Sequence, residues 1–197
     1  MQRPVRIITD PKIARILVDP MRREIVRLLA ESERTENDLA QTLGLSDPSV
    51  GHHLKVLKNV GLIRVARRKA EEHGILQKFY ESNAIVYLVD SHNMSKEIDR
   101  YFMPISLERV RGIIAAAGVI LGETIQLTEN DAEKLAKSFA SAVIKVSGKF
   151  SRPWRGTREE LLTCLYTAAI TLIVKEPAEM PEKVMKFLTR AFGVRIH

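Results

Sequence analysis

The sequence lacks the residues that would cross-link it or hold it in a membrane. Its single cysteine, Cys164, excludes a disulfide within the chain, and its apolar neighbours predict a buried side chain. The longest uncharged apolar runs, residues 112–122 and 161–174, are too short to span a bilayer. The N-terminal residues do not contain the apolar segment of a signal peptide. We therefore expect a cytoplasmic protein with no membrane partner.

The sequence also lacks the motifs of enzyme and metal sites. It contains no HExxH, no P-loop and no GxGxxG. His52 and His53 are adjacent, so on a helix they point about 100° apart and cannot chelate one metal as an i, i+4 pair would. The carboxylate pairs Glu71–Glu72 and Glu159–Glu160 fit a turn and a helix start. We predict no catalytic residue, no metal ligand and no cofactor.

The stretch Ser46–Lys58, SDPSVGHHLKVLK, predicts an amphipathic helix. Ser46 suits the N-cap position, and a proline is tolerated in the first turn. Apolar residues at i, i+4 and i+7 share one face: Val50, Leu54 and Leu57. The opposite face carries donors, one positive charge and no carboxylate: Pro48, His52, Lys55 and Asn59. Such a helix buries one stripe and presents the other to a partner rich in hydrogen-bond acceptors.

The flanking segments place this helix in a larger motif. Thr35–Asp38 has the spacing of a capping box, and Gly44 would end the short helix that begins there. A short helix, a glycine turn and a second helix form a helix-turn-helix. After it, Leu62–Arg68 and Ile75–Tyr80 predict two strands joined by turn-like residues 70–74. A basic hairpin directly after a recognition helix is a wing.

This series of motifs resembles the ArsR-type winged helix-turn-helix family. The resemblance rests on Asp19–Glu31, Thr35–Ile63 and the end of the wing, Lys78–Glu81, within the first ninety residues. It implies a dimeric DNA-binding transcriptional regulator, often a repressor. Metal-sensing members carry a cysteine pair in the helix before the recognition helix. Residues 36–43 contain no cysteine, so metal or arsenite sensing is not implied.

Positive charge is concentrated beside the recognition helix. The formal net charge is +7, and Lys55–Lys69 holds six cations and no acid. Beside a recognition helix this run suits phosphate contacts, although most charge runs are only solvated surface. We expect groove contacts from the start and outer face of the helix: Ser46, Asp47, Ser49, His52 and Lys55. We expect phosphate contacts from the wing: Arg64, Arg67, Arg68 and Lys69. The arginines of the preceding helix, Arg22, Arg23 and Arg27, either contact phosphate or are solvated.

The rest of the chain predicts a second, helical domain. We predict a mostly helical fold with a small antiparallel wing: residues 1–90 form the winged helix-turn-helix, 91–104 a linker with one helical turn around residues 95–102, and 105–197 a helical domain for dimerisation or effector binding. Residues 84–90 are either a further strand or a buried connector. Apolar residues from Leu107 to Leu121 recur at intervals of three and four positions. This spacing predicts a helix with one apolar face.

Two further segments of this second half stand out. A capping box at Thr128–Asp131 opens another apolar face, which continues to Ile144. The basic segment Lys145–Arg158 is either a loop flanking DNA or solvated surface.

The favoured function is sequence-specific binding of double-stranded DNA by a homodimer in transcriptional control. Two alternatives come from other classes. The first is a protein-interaction module that uses a winged helix without DNA, and failure to bind any duplex at low salt would favour it. The second is an enzyme with its site in the helical half, and a substrate-like pocket there would favour it.

Overall fold

The computed structural model describes residues 2–70, 76–176 and 180–193. Most of these residues are helical, and the strands form two small sheets. In chain order the elements are β1 (Arg3–Ile8), α1 (Pro11–Ile16), α2 (Pro20–Glu31), α3 (Glu36–Leu43), α4 (Asp47–Asn59), β2 (Ile63–Ala70), β3 (Leu76–Ser82), β4 (Ala84–Val89), α5 (Lys96–Leu121), α6 (Glu129–Ser147), α7 (Arg158–Lys175) and α8 (Glu182–Phe192).

The chain divides into two compact units. The first runs to Val89 and includes Phe150–Leu161, and the second comprises Asp90–Lys149 and the residues from Leu162 onward. The prediction from sequence had counted residues 150–161 with the helical domain. Each unit is described below by itself.

The helix-turn-helix lies in the first unit, as predicted. α3 begins with a reciprocal capping box: Asp38 N donates to Thr35 Oγ1 (3.1 Å), and Thr35 N donates to the Asp38 carboxylate (2.9 Å). α3 ends at Gly44, whose φ of 64° lies in the left-handed region that glycine adopts at low cost. Ser46 occupies the N-cap position of α4, although its side chain makes no capping hydrogen bond. The turn therefore depends mainly on Gly44.

The core of the first unit forms around α2 and α4. The predicted apolar face of α4 is buried: Val50, Leu54 and Leu57.

The arginines of α2 are engaged within the unit. Arg23 Nη1 donates to the carbonyls of Leu17 (2.8 Å) and Val18 (2.7 Å), which ties α2 to the end of α1. Arg22 donates to the carbonyl of Ile16, and Arg27 pairs with Glu24 and Glu31. These side chains therefore join neighbouring elements or turns rather than standing free.

The two sheets differ in topology. β2 and β3 are antiparallel and form the predicted wing, with a bulge between Val65 and Arg67; the predicted turn at residues 70–74 lies largely outside the described residues. β1 and β4 are parallel, in register from Arg3 opposite Ala84 to Ile8 opposite Val89. Residues 84–89 are thus a strand, and its partner β1 was not predicted.

The second unit has its own core. α5 buries Val110 and Ala117, which lie on its predicted apolar stripe. α6 buries four residues of its predicted face: Leu135, Ala136, Phe139 and Val143. The ring of Phe139 meets that of Tyr166 edge-to-face at 5.4 Å, and α8 adds Val184, Phe187 and Leu188. The helices of this unit therefore cover much of one another's apolar surface.

Two features differ from expectation. Residues 91–104, expected to be a linker with one helical turn around Ser95–Phe102, hold a 3-10 turn and the start of α5, which continues without a break past Pro104. Pro104 has no N–H to donate to the carbonyl of Arg100, but Phe102 and Ser106 are buried on either side and keep this turn packed.

The second difference concerns α7. The buried positions of this helix step by four residues: Leu161, Leu165, Ala169 and Ile173. Cys164 is exposed, because it lies about 100° away from Leu165 around the helix. The prediction that Cys164 is buried is therefore wrong.

Candidate nucleic-acid interface

The outer face of α4 forms a polar surface. Four of its five predicted contact residues are exposed and Ser49 is half-buried: Ser46, Asp47, Ser49, His52 and Lys55. In the described part of the chain, the side chains of Ser46, His52 and Lys55 make no hydrogen bond or ion pair. Asp47 lies in the first turn, where its charge complements the helix dipole. The face therefore offers unused donors along about 14 Å of helix.

His53 differs from its neighbour His52. Its side chain is only 16% exposed, and its Nδ1 lies 3.9 Å from the Asp19 carboxylate, too far for a hydrogen bond. Burial lowers the pKa of His53, and the nearby Asp19 opposes that shift only in part. An uncharged, packed imidazole fits this position.

The junction between α4 and the wing is fixed by side chains from the parallel sheet and the end of the wing. Arg6 Nη1 and Asn83 Nδ2 both donate to the carbonyl of Gly61, at 2.5 and 2.9 Å. The hydroxyl of Tyr87 donates to the carbonyl of Leu62 at 2.5 Å, and burial raises the pKa of Tyr87. This role could not be predicted from the sequence, because Arg6, Asn83 and Tyr87 are distant from Gly61 along the chain.

Arg64 lies at the base of the wing and is fully engaged there. Its Nε and Nη2 each lie 2.8 Å from Glu81 Oε1, and its Nη1 donates to Asn83 Oδ1 at 2.9 Å. Arg64 is also directly opposite Glu81 in the strand register. This arginine therefore joins β2 to β3.

Arg67 is held in place but remains half-exposed. Its Nε donates to Glu33 Oε2 at 2.7 Å. Its guanidinium carbon lies 3.5 Å from the centroid of the Phe79 ring, in cation–π contact. The remaining guanidinium nitrogens make no hydrogen bond among the described residues. Glu33 and Phe79 therefore hold Arg67 in one orientation, while part of its guanidinium group makes no hydrogen bond among the described residues.

The outer part of the wing carries cations without acidic partners. Arg68, Lys69 and Lys78 are exposed, and none of them has an ion pair within the described residues. Arg68 is directly opposite Lys78, and like charges at such positions destabilise an antiparallel pair. An anion bound between these two side chains would offset the repulsion.

Lys78 is a candidate that the sequence reading missed. Continuous pairing from Ile63 opposite Ser82 would place Lys78 across from Arg67. The bulge shifts the register by one residue, so Lys78 faces Arg68 instead. A bulge of this kind has no clear sequence signal, so the pairing could not be predicted.

The basic segment 145–158 is divided between the two units. In the second unit, Lys145 donates to the Glu176 carboxylate at 2.7 Å. In the first, Trp154 Nε1 donates to the carbonyl of Thr157 at 2.9 Å, which orders a loop with exposed Arg152 and Arg155.

No three His, Cys, Asp or Glu side chains in residues 2–70, 76–176 and 180–193 come together as a metal site. Over the same residues, no helix combines the length and hydropathy of a membrane span.

Comparison with known proteins agrees with this geometry. Residues 19–65, which include α2, α3 and α4, match the model of the family described as "Bacterial regulatory protein, arsR family". The chain is also similar to the transcriptional repressor SdpR of Bacillus subtilis (strain 168), with 33% identity over 81 residues. The match covers 41% of this chain and 82% of SdpR. This chain therefore belongs to the arsR family of bacterial regulatory proteins, which bind DNA through their helix-turn-helix.

Proposed function

We propose that this protein is a transcriptional repressor, not an enzyme, and that it binds specific duplex DNA in the cytoplasm as a homodimer. One observation carries the proposal: the exposed donor face of α4 lies in the same unit as a wing whose outer cations have no acidic partner among the described residues. The major groove presents acceptors on every base pair, and phosphates flank it. The donor face of α4 suits the acceptors in the groove, and the cations of the wing suit the phosphates of the DNA backbone.

The two parts have different roles in this proposal. The α4 side chains read base edges: Ser46, Asp47, Ser49, His52 and Lys55. Lys55 suits the O6 and N7 acceptors of guanine, and Asp47 suits the amino group of cytosine. Arg68, Lys69 and Lys78 contact phosphate, and Arg67 presents its free edge to the backbone. Arg64 acts by holding β2 against β3. Two copies predict a roughly palindromic operator with half-sites about 10–10.5 base pairs apart, or a multiple of that spacing.

The test is footprinting on DNA from the protein's own genomic neighbourhood, followed by titration of variants on the protected site. We expect Lys55→Ala to weaken operator binding by about 1–3 kcal/mol and to relax preference at one base position per half-site. Lys134→Ala is the control, because Lys134 is also exposed but lies on α6 in the other unit. Equal effects of the two variants on every sequence would exclude α4 as the reading element.

A further inference from the structure

The last turns of α5 expose an uncharged surface. Residues 112–122 contain no charged side chain. Val119 is 84% exposed and Ile120 is 59% exposed, the highest values among the large apolar residues that the structure describes. Gly112, Ala115 and Ala116 are also exposed, and their spacing places them on the same face as Val119 and Ile120. Apolar patches of this kind commonly mark interaction sites.

A groove of about 620 Å³ lies beside this patch within the second unit. The end of α5, residues 122–128 and the first turn of α6 form it, and its apolar walls include Ile114, Val119, Ile125 and Leu127. Gly122 turns the chain at a φ of 65°. A Cβ on Gly118 would lie 2.7 Å from the carbonyl oxygen of Glu123, so glycine is needed there for the close return of the chain.

The exposed patch adjoins the groove, because Val119 belongs to both. A contact between identical surfaces about a two-fold axis requires each copy to supply both a projection and its recess. Val119 and Ile120 are the projection, and the adjoining groove is the recess. If the two-fold axis passes near Ala115, the small side chains of α5 would allow the two copies of this helix to cross closely. The space beside Gly112 is open, because a Cβ there would meet nothing within 4 Å.

The lining of the groove includes charges of both signs, Arg111 on α5 and Glu129 on α6. Arg111 lies about 12 Å before Val119 along α5, and Glu129 lies at the start of α6. An axis near Ala115 brings Arg111 of one copy towards the end of the groove that holds Glu129 of the other. Glu129 has no ion pair among the described residues, and Arg111 pairs only with Glu108, on an exposed surface. Re-pairing would therefore cost little.

We infer that this face binds a second copy of the chain, with Val119 and Ile120 of each copy in the groove of the other. The inference deepens the proposed function, from which it takes the need for two copies. It does not use the apolar stripe of α5 at Val110 and Ala117 or the apolar face of α6, because these are covered within the unit. A small-molecule site would enclose its ligand, whereas Val119 stands almost fully exposed at the wall of this groove.

Sedimentation of the full chain without DNA tests the inference. We expect Val119→Glu to weaken self-association by about tenfold or more, because a charged carboxylate would have to leave water for the apolar groove of the other copy. Tyr101→Glu is the matched control: Tyr101 is 45% exposed on the first half of the same helix, so self-association should be unchanged. Both sites are exposed, and circular dichroism and thermal unfolding should show intact folds.

Charge reversal tests the pairing across the axis. Arg111→Glu and Glu129→Lys should each weaken self-association, and the double variant should restore it. A purely structural role would not produce that rescue. A wild-type chain that sediments as a monomer at every concentration, or a Val119→Glu variant that associates like the wild type, would overturn the inference.

DNA titration of the same samples separates this inference from the proposed function. If Val119→Glu still dimerises and the wild type binds its operator, only the interface is wrong. If self-association depends on Val119 but no duplex is bound at low salt, the interface stands and the DNA-binding proposal fails.

Discussion

Simultaneous removal of Arg68 and Lys78 should change the salt dependence of DNA binding by a predictable amount. The two residues face each other across the wing, and directly opposed residues have Cβ atoms about 4.5–5.5 Å apart. Both side chains can therefore reach one phosphate. The double variant Arg68→Ala/Lys78→Ala loses one phosphate per wing and two per dimer.

The magnitude follows from counterion release. Each phosphate contact contributes about 0.9 to the slope of log K against log salt, so two contacts contribute about 2 × 0.9 = 1.8. Over a fourfold rise in salt, the wild type should lose about 12-fold more affinity than the double variant. Because phosphate contacts carry no sequence information directly, operator and random duplex should change alike.

The assay is a salt titration on both duplexes, with Arg64→Ala as the control. Arg64 is the wing arginine that Glu81 and Asn83 engage, so its loss should lower the free energy of unfolding by about 1 kcal/mol and leave the slope nearly unchanged. An unchanged slope for the double variant together with lost sequence preference would refute the assignment, since the wing would then be reading bases.

Three further predictions concern the folding of the first unit. Thr35→Ala removes the cap of α3 and should lower the free energy of unfolding in urea by about 1 kcal/mol; no loss would show that the cap contributes nothing. Gly44→Ala should lower the free energy of unfolding by about 1–2 kcal/mol, because the site has room for a Cβ but its φ is positive. Gly148→Ala, at a φ of −59°, should not lower it. Equal losses for the two variants would contradict the backbone explanation. Burial depresses the pKa of His53 in the folded protein. As the pH falls, His53 therefore takes up a proton in the unfolded state before it does so in the folded state. The stability that depends on an uncharged His53 is lost as pH falls below about 6.5. His53→Gln should remove that dependence, and identical pH profiles for variant and wild type would rule it out.

Short-range patterns accounted for the parts of the fold that were predicted. The apolar spacing of Val50, Leu54 and Leu57, the capping box at Thr35 and the glycine turn at Gly44 all act within a few residues, and the structure contains each of them. The exposed outer face of α4 follows from the same periodicity. Whether its side chains read bases is a separate prediction that the footprinting would test.

The features that escaped prediction depend on distant contacts or on choices that the local pattern leaves open. β1 pairs with a strand about eighty residues away, and Lys78 is aligned by a bulge. α7 is apolar over much of its circumference, so periodicity did not show which positions face inward and Cys164 was placed on the wrong side. The predicted linker ended at residue 104, but the helix continues through Pro104 with buried residues on either side of it.

The pairing of β1 with β4 also has a consequence for the order of folding. Contacts within α3, α4 and the wing join residues close in sequence, whereas β1 must wait until residues 84–89 are available and a long loop closes. We expect pulsed hydrogen exchange to show protection of the α3 and α4 amides before those of β1 and β4; the reverse order would contradict this expectation. Since Arg6 and Tyr87 lie on these late strands and fix Gly61 and Leu62, the angle between recognition helix and wing should be set only in the final step of folding.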